Sequence, residues 1–185
     1  MTTRVTAAVL AAGFLAAAGC SSGSGGPSAP NLGGAPAVAF SGQGGATANA
    51  LVLTLQGSDD RTATFNLELR NPSQAVTGAA VELRFDPGTL SLSGAAAGGA
   101  AAGGIARAAV VPGEPGRVIA VFARRDLTSG HGGAGVLGTI TLTLGAGSYS
   151  NVITLDSATS SLFGVGGAPL SGERFAGGTL TVTAS

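Results

Sequence analysis

From Ala50 onward apolar residues recur at every second position in short runs, a spacing that suits a strand with one dry face and one wet face and cannot build the stripe of a helix. Leu51, Leu53 and Leu55 alternate with Val52, Thr54 and Gln56, and Ala63, Phe65, Leu67 and Leu69 alternate with Thr64, Asn66, Glu68 and Arg70. Asn71-Pro72-Ser73 ends that run. The pattern returns at Val81, Leu83 and Phe85, at Leu90 and Leu92 after the turn Asp86-Pro87-Gly88, at Ile140, Leu142 and Leu144, and at Leu180 and Val182. Tyr149-Ser150-Asn151 reads as a turn before a shorter strand at Ile153 and Leu155. Val118 to Phe122 is apolar on both faces. No segment after residue 37 sustains helical spacing with caps. The expected fold is therefore all-β, a two-sheet antiparallel sandwich of about nine strands with helices minor or absent. The block Ala-Ala-Ala-Gly-Gly, written twice from Ala95 to Gly104, is too glycine-rich for a packed strand or a stable helix and is expected to be a mobile loop.

The N-terminal part is built differently. Arg4 precedes an apolar run from Val5 to Ala18 of about 14 residues, the length of an export-signal core and short of a bilayer span. The run ends in Leu15-Ala16-Ala17-Ala18-Gly19-Cys20, which resembles the lipobox of bacterial lipoproteins, with Ala17 at the position where leucine is usual. The chain is thus expected to divide into a signal peptide (1–19), a lipidated Cys20 with a Gly/Ser/Pro-rich linker (20–37), and a folded domain (38–185). Ser21, rather than Asp, follows the cysteine, so by that resemblance the destination is the outer membrane or cell surface. A coil of about 17 residues reaches roughly 20 to 25 Å, enough to hold a domain clear of lipid headgroups.

Chemistry is sparse. Nine basic residues, all Arg, balance nine acidic ones, and only 10% of residues are charged, so there is no basic surface to hold a nucleic-acid backbone. The single Cys excludes an internal disulfide and a cysteine metal cluster. His131, the only histidine, lies in a glycine-rich loop (Gly130, Gly132, Gly133, Gly135) without a nucleophile elbow or a following helix, and it has no metal-ligand partners. The acids Asp59, Asp60, Glu68, Glu82, Asp86, Glu114, Asp126, Asp156 and Glu173 fall in turns or on wet faces, where they stay ionised and cannot donate protons. With no Trp and one Tyr, Tyr149, no stacked sugar site is expected. Neither an enzymatic activity nor a cofactor is expected.

Three stretches, in order, carry a resemblance. They are Ala79-Ala80-Val81-Glu82-Leu83-Arg84-Phe85-Asp86-Pro87-Gly88-Thr89-Leu90; Arg117 to Ala123 followed by Gly135-Val136-Leu137-Gly138-Thr139-Ile140; and Gly178-Thr179-Leu180-Thr181-Val182. Together they resemble the cohesin family, the receptor modules that capture dockerin domains. The resemblance covers Ala50 to Ser185 and implies a nine-stranded jelly-roll sandwich that binds a protein partner, with any calcium belonging to the dockerin. It also implies a binding face at the outward positions Gly78, Ala80, Glu82 and Arg84, with Arg124 where an acid is frequent in the family. Gly78 and Ala80 stand where polar contact residues are found in that family. The expected role is a lipid-anchored, non-enzymatic module recruiting a dockerin-type partner or a polysaccharide-associated complex at the cell surface. The alternative is a structural lipoprotein supporting an outer-membrane secretion or pilus assembly.

Overall fold

The computed structural model describes residues 35–43 and 48–184; Cys20 and the leader and linker expected around it lie outside the described residues. Twelve strands form two sheets. The first sheet runs in the order β1 (Ala37–Gly42), β12 (Gly178–Thr183), β9 (Tyr149–Leu155), β4 (Val76–Arg84), β7 (Glu114–Ala123) and β6 (Ile105–Val111), with β10 (Ser161–Gly164) also paired to β4. The second runs β11 (Arg174–Ala176), β2 (Ala50–Ser58), β3 (Thr62–Arg70), β8 (Gly135–Leu144) and β5 (Leu90–Ala97). All pairs are antiparallel except β11 with β2, which is parallel, a departure from the fully antiparallel expectation.

The period-two residues line the space between the sheets, as their pattern requires. On β3 burial alternates strictly, with Ala63, Phe65, Leu67 and Leu69 all inaccessible. Ala79, Val81 and Leu83 of β4 and Val118, Ala120 and Phe122 of β7 face them from the opposite sheet. Burying such side chains is worth about 1.5–3 kcal/mol each, which is what holds two sheets together without a disulfide. Phe122 packs onto bare backbone of the second sheet: a Cβ on Gly138 of β8 would overlap its ring, so the glycine is what lets the ring in.

Four strands add to the expected set: β1, β6, β10 and β11. The alanine-glycine repeat is also more ordered than expected. Ala95–Ala97 complete β5, Gly99–Ala101 form a 3-10 turn, and Ala100 and Ala101 are buried in the core. Methyl groups small enough to fit under the sheet margin replace the flexibility that composition suggested. Nor is Tyr149-Ser150-Asn151 a turn. It begins β9, and Asn151, 2% exposed, accepts a hydrogen bond from Asp86 N (3.1 Å) and donates to Asp86 O (3.1 Å) and Thr89 Oγ1 (2.7 Å), pinning the Asp86-Pro87-Gly88 turn. The Asp59-Asp60 turn is as expected, with Asp59 Oδ1 accepting from the backbone of Arg61 (2.8 Å) and Thr62 (2.6 Å).

Gly138→Ala tests the inter-sheet fit. The added methyl forces the Phe122 ring to move in a packed core, and we expect a loss of about 1–3 kcal/mol in denaturant unfolding. An unchanged midpoint would show that the sheets do not approach so closely.

Candidate functional site

Strand β4 is the centre of the candidate site because both its edges are used. One edge pairs with β7 along its length, from Gly78↔Ala123 to Arg84↔Arg117. The other is divided: β10 takes Val76 to Ala80, and β9 takes Leu83 and Arg84. Glu82 falls in the gap. Its backbone N–H donates to Ser160 Oγ (3.0 Å) and its carbonyl accepts from Asp156 N (2.9 Å), so the loop between β9 and β10 replaces the missing ladder.

That loop also covers the Glu82 side chain. Glu82 was expected on a wet strand face, but it is 2% exposed. Its carboxylate lies 2.8 Å from Arg117 Nη2 and 2.6 Å from Arg84 Nη2; Arg117 also donates to Glu114 Oε1 (3.0 Å), and Arg84 Nε lies 3.4 Å from Asp156. The hydrogen bond from Arg117 holds the Glu82 carboxyl below its ordinary range; burial works against this, and a hydrogen bond with Thr159 adds to it. Glu82 is thus an ionised group whose Oε2 accepts from Arg117 and whose Oε1 is met by the Arg84 charge without an aligned hydrogen bond. It anchors the two arginines and offers no proton for acid catalysis.

Directly opposed residues of a sheet share a face, so the ladder fixes what lies beside Glu82 on the outside. The first row reads Ile105, Ala123, Gly78, Phe163 across β6, β7, β4 and β10; the second, Arg107, Val121, Ala80, Ser161; the third, Ala109, Ile119, Glu82. Gly78 and Ala80, both expected outward, are outward, but they form a floor: Gly78 is buried and Ala80 half-buried. A Cβ on Gly78 would press on the Phe122 carbonyl, so this close crossing of β4 and β7 requires glycine. Arg84 is the one expected residue fully at the surface. Arg124 follows β7 and turns toward the 3-10 turn, where its Nη1 donates to Ala100 O (2.7 Å).

The apolar residues of this face are the ones that residue-by-residue expectation missed. Ile105 is 59% exposed, Ile119 45% and Val121 38%, side by side on β6 and β7. Three large aliphatic side chains on one sheet face, bordered by Arg84, Arg107, Arg117 and Glu114, have the make-up of an interface centre with a polar rim. The signal was present for β7, whose run from Val118 to Phe122 is apolar on both faces; β6 gave none. His131 sits apart: its backbone bridges to Val76, and its Nε2 lies 3.2 Å from Ala134 O.

No family model matches the chain, and no curated protein matches it significantly. Among solved structures it is similar to the cohesin CaCohA2 from Clostridium acetobutylicum (15% identity, TM-score 0.55, 72% of this chain and 93% of that one). It is also similar to a type II cohesin–X–dockerin complex from Acetivibrio cellulolyticus (11%, TM-score 0.53, 66% and 90%). A third is a non-cellulosomal cohesin from the archaeon Archaeoglobus fulgidus (16%, TM-score 0.50, 80% and 89%). The fold is cohesin-like, as the three sequence stretches implied.

Because the folded chain holds the Glu82 proton more weakly than the ordinary value of 4.5, Glu82 stabilises the fold above that pH and ceases to do so as pH falls through the depressed value. Glu82→Gln should lower stability at pH 7 by about 1–3 kcal/mol and flatten the acid limb. A residual slope should remain from Asp126, which Thr128 and Ser129 pull down to about 2. Denaturant midpoints from pH 3 to pH 7 check this, and parallel curves for the two proteins would refute it.

Proposed function

We propose that this chain is a non-enzymatic binding module that recruits a protein partner through the outer face of β4, β7 and β6. The observation that carries the proposal is the row of exposed aliphatics, Ile105, Ile119 and Val121, set over the small floor of Gly78 and Ala80. In water such a row costs free energy that a partner's apolar surface recovers, at roughly 25 cal/mol per Å² covered. The rim supplies specificity. Arg84 and Arg117, held in place by Glu82 and paired with Asp156 and Glu114, present a fixed pattern of both charge signs to polar groups on a partner.

A cohesin-like fold supports a dockerin-type module as the partner, since a similar structure is of a cohesin–X–dockerin complex. The floor shapes what such a module presents. With Gly78 and Ala80 offering no side-chain hydrogen bonds, the contact depends on apolar complementarity at Ile119 and Val121 more than on polar pairing. Pulldown from the source organism, with and without EDTA, should recover a partner carrying a dockerin-like repeat whose capture is lost on calcium removal. Ile119→Ser with Val121→Ser should weaken that capture by about 2 kcal/mol or more while leaving the unfolding midpoint nearly unchanged, as expected for exposed positions and for neutral side chains beside Glu82. Capture that survives both substitutions would refute the face, and capture insensitive to EDTA would refute a dockerin.

We further propose that Cys20 carries a lipid and that the module is displayed at the cell envelope. The resemblance of Leu15-Ala16-Ala17-Ala18-Gly19-Cys20 to a lipobox supports this. Cys20→Ser should move the protein from the membrane fraction to the soluble fraction; unchanged partitioning would overturn the anchor.

A further inference from the structure

Among the described residues strand β6 ends the first sheet, pairing only with β7, and the hydrogen-bond directions along it follow from the ladder. Arg124 N donates to Thr77 O and Phe85 N donates to Gly116 O, so the even-numbered residues of β7 turn their peptide groups toward β4. Odd-numbered Ile119, Val121 and Ala123 therefore turn theirs toward β6. Their partners Ala109, Arg107 and Ile105 are the β6 residues bonded to β7, which leaves the peptide groups of Ala106, Ala108 and Val110 facing out of the sheet. Among the described residues, one group meets them: Arg107 Nη1 donates to Ala106 O at 3.1 Å. Arg107 is the one guard this open edge carries. The strand has no Lys, no Pro and no bulge between Ile105 and Val110.

We propose that β6 pairs antiparallel with β6 of a second copy of this chain, about a two-fold axis through Ala108. A second copy is the occupant that fits because the strand is complementary to itself in this register. Ala108 meets Ala108 of the second copy, and Ala106 meets Val110, so all three outward peptide groups on each side find partners. The one charged side chain of the strand, Arg107, falls directly opposite Ala109 of the second copy rather than opposite itself. The two Arg107 side chains are diagonal neighbours about 7–8 Å apart, free to turn away from each other on the outer face. Ala106, Ala108 and Ala109 keep the seam narrow. Apolar side chains flank the seam on both faces, Ile105 (59% exposed) on the outer face and Val110 (40% exposed) opposite Val118 on the inner one. Strand pairing about such an axis keeps the outer faces of both copies on the same side, which sets two copies of the Ile119–Val121 row next to each other. The pairing does not depend on the proposed partner recruitment.

Ala108→Pro is the decisive variant. Ala108 turns its N–H away from β7, so proline removes an edge donor without breaking the internal ladder. Sedimentation of the full chain in mild detergent should show a concentration-dependent dimer. Ala108→Pro should raise its dissociation constant by about tenfold or more with the unfolding midpoint kept. Where the proline variant unfolds instead, the register is read by cross-linking in a Cys20→Ser background. Arg107→Cys with Ala109→Cys should give an oxidised covalent dimer, because those positions form a close non-hydrogen-bonded pair across the seam, and Arg107→Cys alone should give far less. A monomer at all concentrations, a dimer indifferent to Ala108→Pro, or equal cross-linking by the single and double cysteine variants would overturn the proposal. A foreign strand captured by β6 in place of a second copy would appear in sedimentation as a species heavier than one chain but not of twice its mass, and would count against it.

Discussion

The first sheet depends on how one ionised carboxylate is accommodated at its centre. β4 cannot be bordered by a single strand on its second edge, because β9 pairs with it only at Leu83 and Arg84 and β10 only from Val76 to Ala80. The break between them exposes the peptide group of Glu82 in a place where water is excluded, and an unpaired buried group there would cost about 1–3 kcal/mol. The loop Asp156–Ser160 closes the break from the main chain outward, and Arg84 and Arg117 close it from the side chain inward. A buried carboxylate held by two partly exposed guanidinium groups escapes much of the penalty of a wholly buried ion pair, since each arginine keeps contact with water.

This arrangement has a geometric result. Arg84 and Arg117 are drawn toward Glu82 while the aliphatic side chains Ile105, Ile119 and Val121 of β6 and β7 stay exposed beside them. The small residues of β4 deepen the contrast, with Gly78 excluded from carrying a side chain by the Phe122 carbonyl beneath it. Core and surface are linked through this residue: the Phe122 side chain is packed into the bare backbone of Gly138 on one side of the sheet, and its carbonyl limits what β4 can carry on the other.

Much of the fold was legible because a period of two leaves little ambiguity when the apolar residues are Leu, Ile, Val and Phe. The runs at β2, β3, β8 and β12 needed no tertiary information. β6 was not legible: in Ile105-Ala-Arg-Ala-Ala-Val-Val111 alanine takes either face, so the alternation is invisible although the strand is fully formed. β10 and β11 are too short to establish a period, and the parallel pairing of β11 with β2 depends on a chain crossing that no local pattern encodes. The candidate site divides in the same way. The outward direction of Gly78, Ala80, Glu82 and Arg84 followed from alternation, but the burial of Glu82 came from residues 156–160, more than seventy positions away in sequence. Ile119 and Val121 could be noticed as apolar on a face that should be wet; what this meant required knowing that they stay exposed among the described residues.

The position of β1 has a mechanical consequence. β1 is joined to the sheet only through β12, with Ala37 opposite Thr183 and Gly42 opposite Gly178, and Gly178 in turn lies opposite Ile153. Following the ladder to Thr154 and Arg84 places Ala37 at one end of the strand direction and the row of Ile105 and Gly78 at the other. A pull entering through the residues before Ala37, resisted by a partner seated on that row, acts along the strands. Its load then falls on all the β1–β12 pairs together in shear, instead of opening them one after another from an end, so the first strand transmits tension as a rivet row does and does not peel as a zip would.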